Sequence, residues 1–238
     1  MAQPLAPSAS QADDSNSTLS TALVKRLRHA ILTGELRPGA KLKLEALRES
    51  LGVTQSRSPL REALSRLGAE GLVVIEDQRG YRVAPVSEKN LREIAKLRIS
   101  FETLALRESI AQGDTAWEAG IVAAQHRLAR VPRSDAMTPA RQEVWEEEHR
   151  SFHLSLLQAC DMPLLLGYCA SLHDQADRYR RMFLKRHPFD RDVKGEHQAI
   201  VEATLERNAD LACALLAQHI ERTTRNSIAA FAAEQAED

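Results

Sequence analysis

Beyond residue 87 the chain is almost wholly helical in period: Leu, Ala and Ile recur every three or four residues, broken only at a few Gly and Pro positions. Stripes of that kind must be buried against one another, which a helical bundle does and a sandwich or barrel does not. The spacing predicts six helices. They cover about Glu88 to Gln112, stopped by Gly113; Thr115 to Arg130; and Pro139, preceded by Thr138, to near Cys160. The others run from Pro163 to before Pro188, from Asp190 to Arg207, and from Asp210 to near Ala236. With aromatics at only 4%, Leu, Ala, Ile and Val must fill the core.

The first part is cut finer. Residues 1–18 are rich in Ser, Ala, Gln and Pro without apolar period and read as a disordered arm, with order starting near Leu19. Leu23, Leu27, Ile31 and Leu32 mark a helix stopped by Gly34, and Pro38-Gly39 makes a turn. Leu44, Leu47 and Leu51 mark a second helix ending at Gly52. A third opens at Ser58, read as its cap, with Pro59 behind it, and runs past Leu60, Ala63, Leu64 and Leu67 to Glu70 and Gly71. Two extended runs, Leu72 to Ile75 and Tyr81 to Ala84, read as a hairpin. Three short helices and a hairpin describe a winged helix-turn-helix over residues 19–86. Pro85 to Asn90 joins it to the all-helical part over residues 87–236, with Ser87 as a cap.

Charge follows the same division. Ser20 to Val86 holds 12 Lys and Arg against 7 Asp and Glu, although the whole chain has a formal net charge of -1. A basic module on an acidic body suits nucleic acid as a partner. No run reaches the roughly 20 apolar residues of a membrane span, and no basic-then-apolar leader is visible, so the expectation is a cytoplasmic protein. Cys160, Cys169 and Cys213 are odd in number and lack metal-type pairing, which argues against a disulfide framework.

A helix that enters the major groove presents its N-terminal side chains to base edges and phosphates. Gln55, Ser56, Arg57 and Ser58 lead into the third helix, and Arg61 lies on its first turn. Arg57 and Arg61 can each give two hydrogen bonds to a guanine edge or grip a phosphate, and Ser58 suits a phosphate oxygen. Arg79 and Gly80 occupy the hairpin tip, where a wing touches the DNA backbone or minor groove.

Glu35-Leu36-Arg37-Pro38-Gly39, Leu51-Gly52-Val53, Ser58-Pro59-Leu60-Arg61-Glu62-Ala63-Leu64, Glu70-Gly71-Leu72-Val73 and Arg79-Gly80 together resemble the DNA-binding domain of GntR-family bacterial transcription regulators. The resemblance implies DNA contact at Arg57, Ser58 and Arg61. Two departures stand out. Thr54-Gln55-Ser56 makes the step into the third helix about two residues longer than usual in the family, and Glu45 occupies a position where some relatives carry a DNA-contacting Arg.

In the second part, His149 and His153 are four apart and so share one helix face, while His197 and His219 fall on the last two helices. Each taken alone reads more readily as an ordinary core or surface histidine; together they suit a divalent ion such as Zn or Ni. Arg98 with Glu102, Phe152-His153, Glu196-His197 with Ile200, and His219 resemble the FadR-type C-terminal ligand-binding domain (FCD) of the same family. That resemblance implies a metal held by a carboxylate four residues before the first His and by later His residues; here His149 stands in the carboxylate's place. Arg98, with Arg178, Arg180 and Arg181 around Tyr179, could hold an anionic effector; for Arg178 and Arg181 the alternative is a helix-surface charge. His149 to His153 with Asp174-Gln175 and Arg178 to Arg181 resembles the carbon-starvation regulators that respond to small dicarboxylates.

The expectation is a homodimeric repressor that binds a palindromic operator and is released by a small carboxylate. Two rivals are weighed against it. A metal hydrolase on the bundle is disfavoured, since a zincin helix needs Glu directly after its first His and here Arg150 follows His149. A DNA-binding architectural protein without an effector would show no response to any small acid.

Overall fold

The computed structural model describes residues 9–53, 57–76, 79–131, 138–184 and 192–237. The chain forms two compact units, Met1–Val86 and Ser87–Asp238. No helix among the described residues is long and apolar enough to cross a membrane.

The first unit contains α1 (Ala9–Leu32), β1 (Lys41–Leu42), α2 (Leu44–Leu51), α3 (Ser58–Ala69), β2 (Val73–Glu76) and β3 (Gly80–Val83). Leu23, Leu27 and Ile31 put one face of α1 against Leu60, Ala63, Leu64 and Leu67 of α3, all buried. Fully burying a Leu or Ile side chain contributes about 1.5–3 kcal/mol, so this contact is a large stabilising part of the unit's core. Gly52 ends α2 in the left-handed region (φ 65), where its amide reaches Glu49 O and a side chain would be strained. The sheet is antiparallel in the order β1-β3-β2, and Val73 faces Val83 in register.

Three features differ from the sequence reading. The stretch read as a disordered arm is helical from Ala9, continuous with the Leu-rich part of α1, and no proline interrupts residues 9–32. Residues 1–8 lie outside the described set. Two residues, Lys41 and Leu42, form an extra strand against Arg82 and Tyr81. Ser58 is the first residue of α3 rather than its cap; Arg57 takes the cap position in a helical conformation (φ -72, ψ -9), with no side-chain cap bond. Gln55 and Ser56, with the longer step into α3, lie outside the described residues.

The second unit is all helical: α4 (Glu88–Gln112), α5 (Thr115–Ala129), α6 (Pro139–Ser155), α7 (Pro163–Tyr179), α8 (Val193–Leu205) and α9 (Ala209–Glu237). A single 3-10 turn, Gln158–Cys160, follows α6, and a π-helical turn, Arg180–Leu184, extends α7. Side-chain caps set several starts: Ser87 Oγ accepts from Asn90 N (3.1 Å), Asp114 from Trp117 N (2.9 Å) and Asp192 from Gly195 N (2.8 Å). The core is built on Leu106, Ile121, Phe152, Leu156, Ile200 and Leu216, and polar groups such as Arg98, Glu102, His153 and Asp177 are buried as well.

Candidate functional site

In the first unit the site begins at α3. Leu60, Ala63, Leu64 and Leu67 bury one face, which leaves Arg57, Ser58 and Arg61 exposed on the other, and positions 57 and 61 share it. Arg61 N bonds to Arg57 O (3.1 Å), so the helix starts at the pair of arginines. Arg57 also meets Glu45 of α2, Nη2 to Oε1 2.5 Å. Arg79 and Gly80 stand at the turn into β3: Arg79 N bonds to Glu76 O (3.0 Å), and Gly80 has φ 95, a conformation few other residues hold. Arg82 braces this turn by bonding Glu76 (3.0 Å) and Gly39 O (2.6 Å). Sequence spacing does not disclose that brace, because it links residues far apart in the chain.

In the second unit, α6 carries His149 and His153, α8 carries His197 and α9 carries His219. One ring nitrogen from each lies within 4.8 Å of all the others, and all four residues are buried. His149 Nε2 and His153 Nε2 are 3.2 Å apart. Two neighbouring ligands at about 2.0–2.1 Å from one ion lie roughly 2.9–3.4 Å apart, whether it is four-coordinate or higher, so this spacing fits a zinc-sized ion. Nδ1 of His149, of His153 and of the nearby His173 has no hydrogen-bond partner among the described residues. Glu196 lies 2.9 Å from His219 Nδ1 and is itself held by Arg222 (3.0 Å), an arrangement that turns Nε2 of His219 toward the cluster. Trp145 stacks on His149, with centroids 4.7 Å apart.

Burial, reinforced by Arg180, holds His149 well below its ordinary pKa; burial and the other imidazoles do so for His153, and burial with Arg98 for His173. All three are therefore neutral near pH 7, the form a metal ligand requires. The donor set and its geometry fit a divalent ion. The cysteines do not contribute: Cys160, Cys169 and Cys213 are free and buried, and burial raises Cys169 to about 12.

A cavity of about 20 Å³ opens beside the imidazoles, lined among others by Arg98, His173, Asp177 and Arg180. Arg98 is there, as the sequence predicts, and is paired with Glu102 (2.6 Å). Arg178 and Arg181 are not. On a helix, 173 and 177 share one face and 178 lies off it; 181 is again four from 177, but its guanidinium is taken up by carboxylates. Arg181 pairs with Asp177 (2.6 Å) and Glu143 (2.8 Å), and burial lowers Arg178 to about 10. Of the three arginines around Tyr179, Arg180 lines the cavity. Burial opposes its charge, but contacts with Asp177 and Glu146 more than compensate and raise its pKa. His173, a fifth buried imidazole, escapes sequence reasoning because a single His carries no spacing signal.

Next to Arg180, the buried Tyr179 closes on the start of α4: its hydroxyl accepts from Ser87 N (3.0 Å) and donates to Asn90 Oδ1 (2.8 Å).

The family models agree with both halves. Residues 19–83 match bacterial regulatory proteins of the gntR family, and residues 93–222 match the FCD domain. The chain is 37% identical to the HTH-type transcriptional regulator BphR of Paraburkholderia xenovorans (strain LB400), over 86% of this chain and 83% of that one. It is 36% identical to the HTH-type transcriptional repressor GlaR of Escherichia coli (strain K12), over 82% and 89% of the two. Among solved structures it shares its fold with E. coli McbR/YncC, with a TM-score of 0.70 at 20% identity, over 88% of this chain and 96% of the other. These matches, with the exposed arginines on α3 and the wing behind them, make the chain a member of the GntR family with an FCD domain, a DNA-binding transcription regulator and not an enzyme.

Proposed function

We propose that this regulator is a homodimeric repressor, released by a small carboxylate that binds beside a divalent metal, zinc or nickel, in the helical unit. The observation that carries the reading is the cluster of four buried imidazoles His149, His153, His197 and His219, with guanidinium groups of Arg98 and Arg180 on the same cavity. Arg57, Ser58 and Arg61 hold base edges and phosphates, and Arg79 and Gly80 meet the backbone at the wing.

Four neutral ligands leave the charge of a divalent ion uncancelled, so a bound ion supplies a positive centre for a carboxylate oxygen. The chain's own residues do the rest. Arg98 can turn its fork from Glu102 to the acid, and Arg180 can exchange Asp177 for it. A cavity of about 20 Å³ has room for about one water beside the imidazoles. An acid enters only if these side chains move, so it favours a different arrangement of the bundle; that differential affinity is what an effector needs.

Repression follows the name of the relative GlaR. Dimerisation is supported by an exposed apolar face: Leu97 and Leu104 on α4, Leu164 (82% exposed) and Tyr168 on α7, with Phe101 and Tyr168 rings 6.0 Å apart. Two reading heads then match a palindrome with half-sites roughly 34–36 Å apart.

The test is to select duplexes from a random pool, then measure affinity for the winner and a scrambled control across a salt series, with and without metal and a panel of small carboxylates. Arg61→Ala should lose about 1–3 kcal/mol on the selected duplex. His153→Ala and His197→Ala should lose the metal and the response to acid while still binding DNA. Equal affinity for both duplexes at every salt concentration would end the specific-regulator reading. A metal-free wild type would end the metal reading.

A further inference from the structure

The ion pair between Glu45 and Arg57 sits in an unexpected place. Glu45 lies in the first turn of α2, and Arg57 at the start of α3, with 2.5 Å between Oε1 and Nη2. Both side chains are more than half exposed, at 56% and 55%. A pair this open to water adds little to stability. Its carboxylate also stands on the surface where the N-terminus of the second helix of a helix-turn-helix meets DNA, and a negative charge there is repelled by phosphate. The neighbouring Arg48 lies farther off, 3.6 Å from Glu45, and spends its Nε on Val53 O (3.2 Å). Glu45 is thus matched chiefly to Arg57.

We propose that Glu45 is a specificity-determining residue: it grips one end of the Arg57 guanidinium, so that the remaining N–H groups are held ready for O6 and N7 of a guanine. The chemistry suits this division. A guanidinium offers five N–H donors in a plane, a guanine edge takes two, and Glu45 occupies the Nη2 end. An unrestrained arginine would lose rotamer freedom on binding and could settle as readily on a phosphate, which carries no sequence information. The restrained one gives up part of its attraction for phosphate and gains direction. When DNA covers the pair and expels water, the ionic contact strengthens and the restraint becomes firmer.

This proposal rests on the reading of Arg57 as a DNA contact, and the experiment separates the two. Duplexes are selected from a fully randomised pool by the full-length wild type, by Glu45→Gln and by Arg57→Ala, and affinities for the wild-type winner and for a scrambled duplex are then compared. Glu45→Gln keeps size and removes charge. It should bind the scrambled duplex more tightly, and its advantage for the selected one should shrink about tenfold, with a guanine position in each half-site losing its preference. In the Arg57→Ala background, Glu45→Gln should change both affinities by the same factor. If the wild type enriches a motif and Glu45→Gln enriches the same motif with undiminished preference, Glu45 is only a surface charge and the proposal is overturned. If Arg57→Ala leaves the motif and its affinity unchanged, Arg57 does not touch DNA, and the reading beneath the proposal fails instead.

Discussion

Burial sets the charge on His149, His153 and His173 by raising the cost of a protonated imidazole, and the nearby guanidinium groups add to that cost. In the unfolded chain these groups titrate near their ordinary value of about 6.5. Their folded pKa values lie lower, so below about pH 6.5 the unfolded chain takes up protons that the folded one refuses. The contribution to stability is present above that pH and lost as pH falls toward the folded values. With metal removed by a chelator, the thermal midpoint of the second unit should therefore drop steadily from about pH 7 to pH 5. His153→Ala should flatten that slope; an equal slope in the variant would show that other groups cause it. His149 and His153 were legible because residues four apart share a helix face, whereas His197 and His219 joined them chiefly through the family resemblance, and His173 carried no signal at all. Composition marks an arginine-rich turn, but only the fold tells which of its members lines the cavity: Arg180 does, and Arg178 and Arg181 do not.

Helices and their stops are written in local sequence, and this explains what could be read at the level of elements. Gly113 was expected as a helix stop, and α4 does end at Gln112. What the sequence did not convey is that a Cβ at Gly113 would fall inside the ring of Trp117, whose indole N–H is tied to Ser155 O (3.0 Å). An aromatic ring fixed in this way cannot step aside. Gly113→Ala should cost about 1–3 kcal/mol by overpacking, read from the denaturant midpoint, and an unchanged midpoint would mean that the ring relaxes freely. The hairpin of β2 and β3 was legible from β-branched residues and a polar turn. Strand β1 was not: two residues hold no period, and Lys41 and Leu42 become a strand only because β3 offers them an edge. The start of α3 illustrates a further limit. Serine before proline suggests a cap, yet the chain already turns helical at Arg57, which leaves the Ser58 hydroxyl to the surface.

At the scale of the whole molecule, each unit has a core of its own, one around Leu64 and the other around Phe152. All four clustered imidazoles belong to the second. Zinc should then raise the melting temperature of that unit and leave the first unit's unaltered, since a ligand stabilises only what it binds. Scanning calorimetry with and without the ion checks this, and an equal rise in both would contradict it. Tyr179 gives the arrangement a longer reach. One phenol oxygen is shared between the end of α7 and Ser87 and Asn90 at the beginning of α4, while its neighbour Arg180 borders the imidazole cavity. The peptide directly after Val86 is thus fastened to the neighbour of a residue that walls the imidazole cavity, a single side chain standing between that wall and the point where the second unit begins.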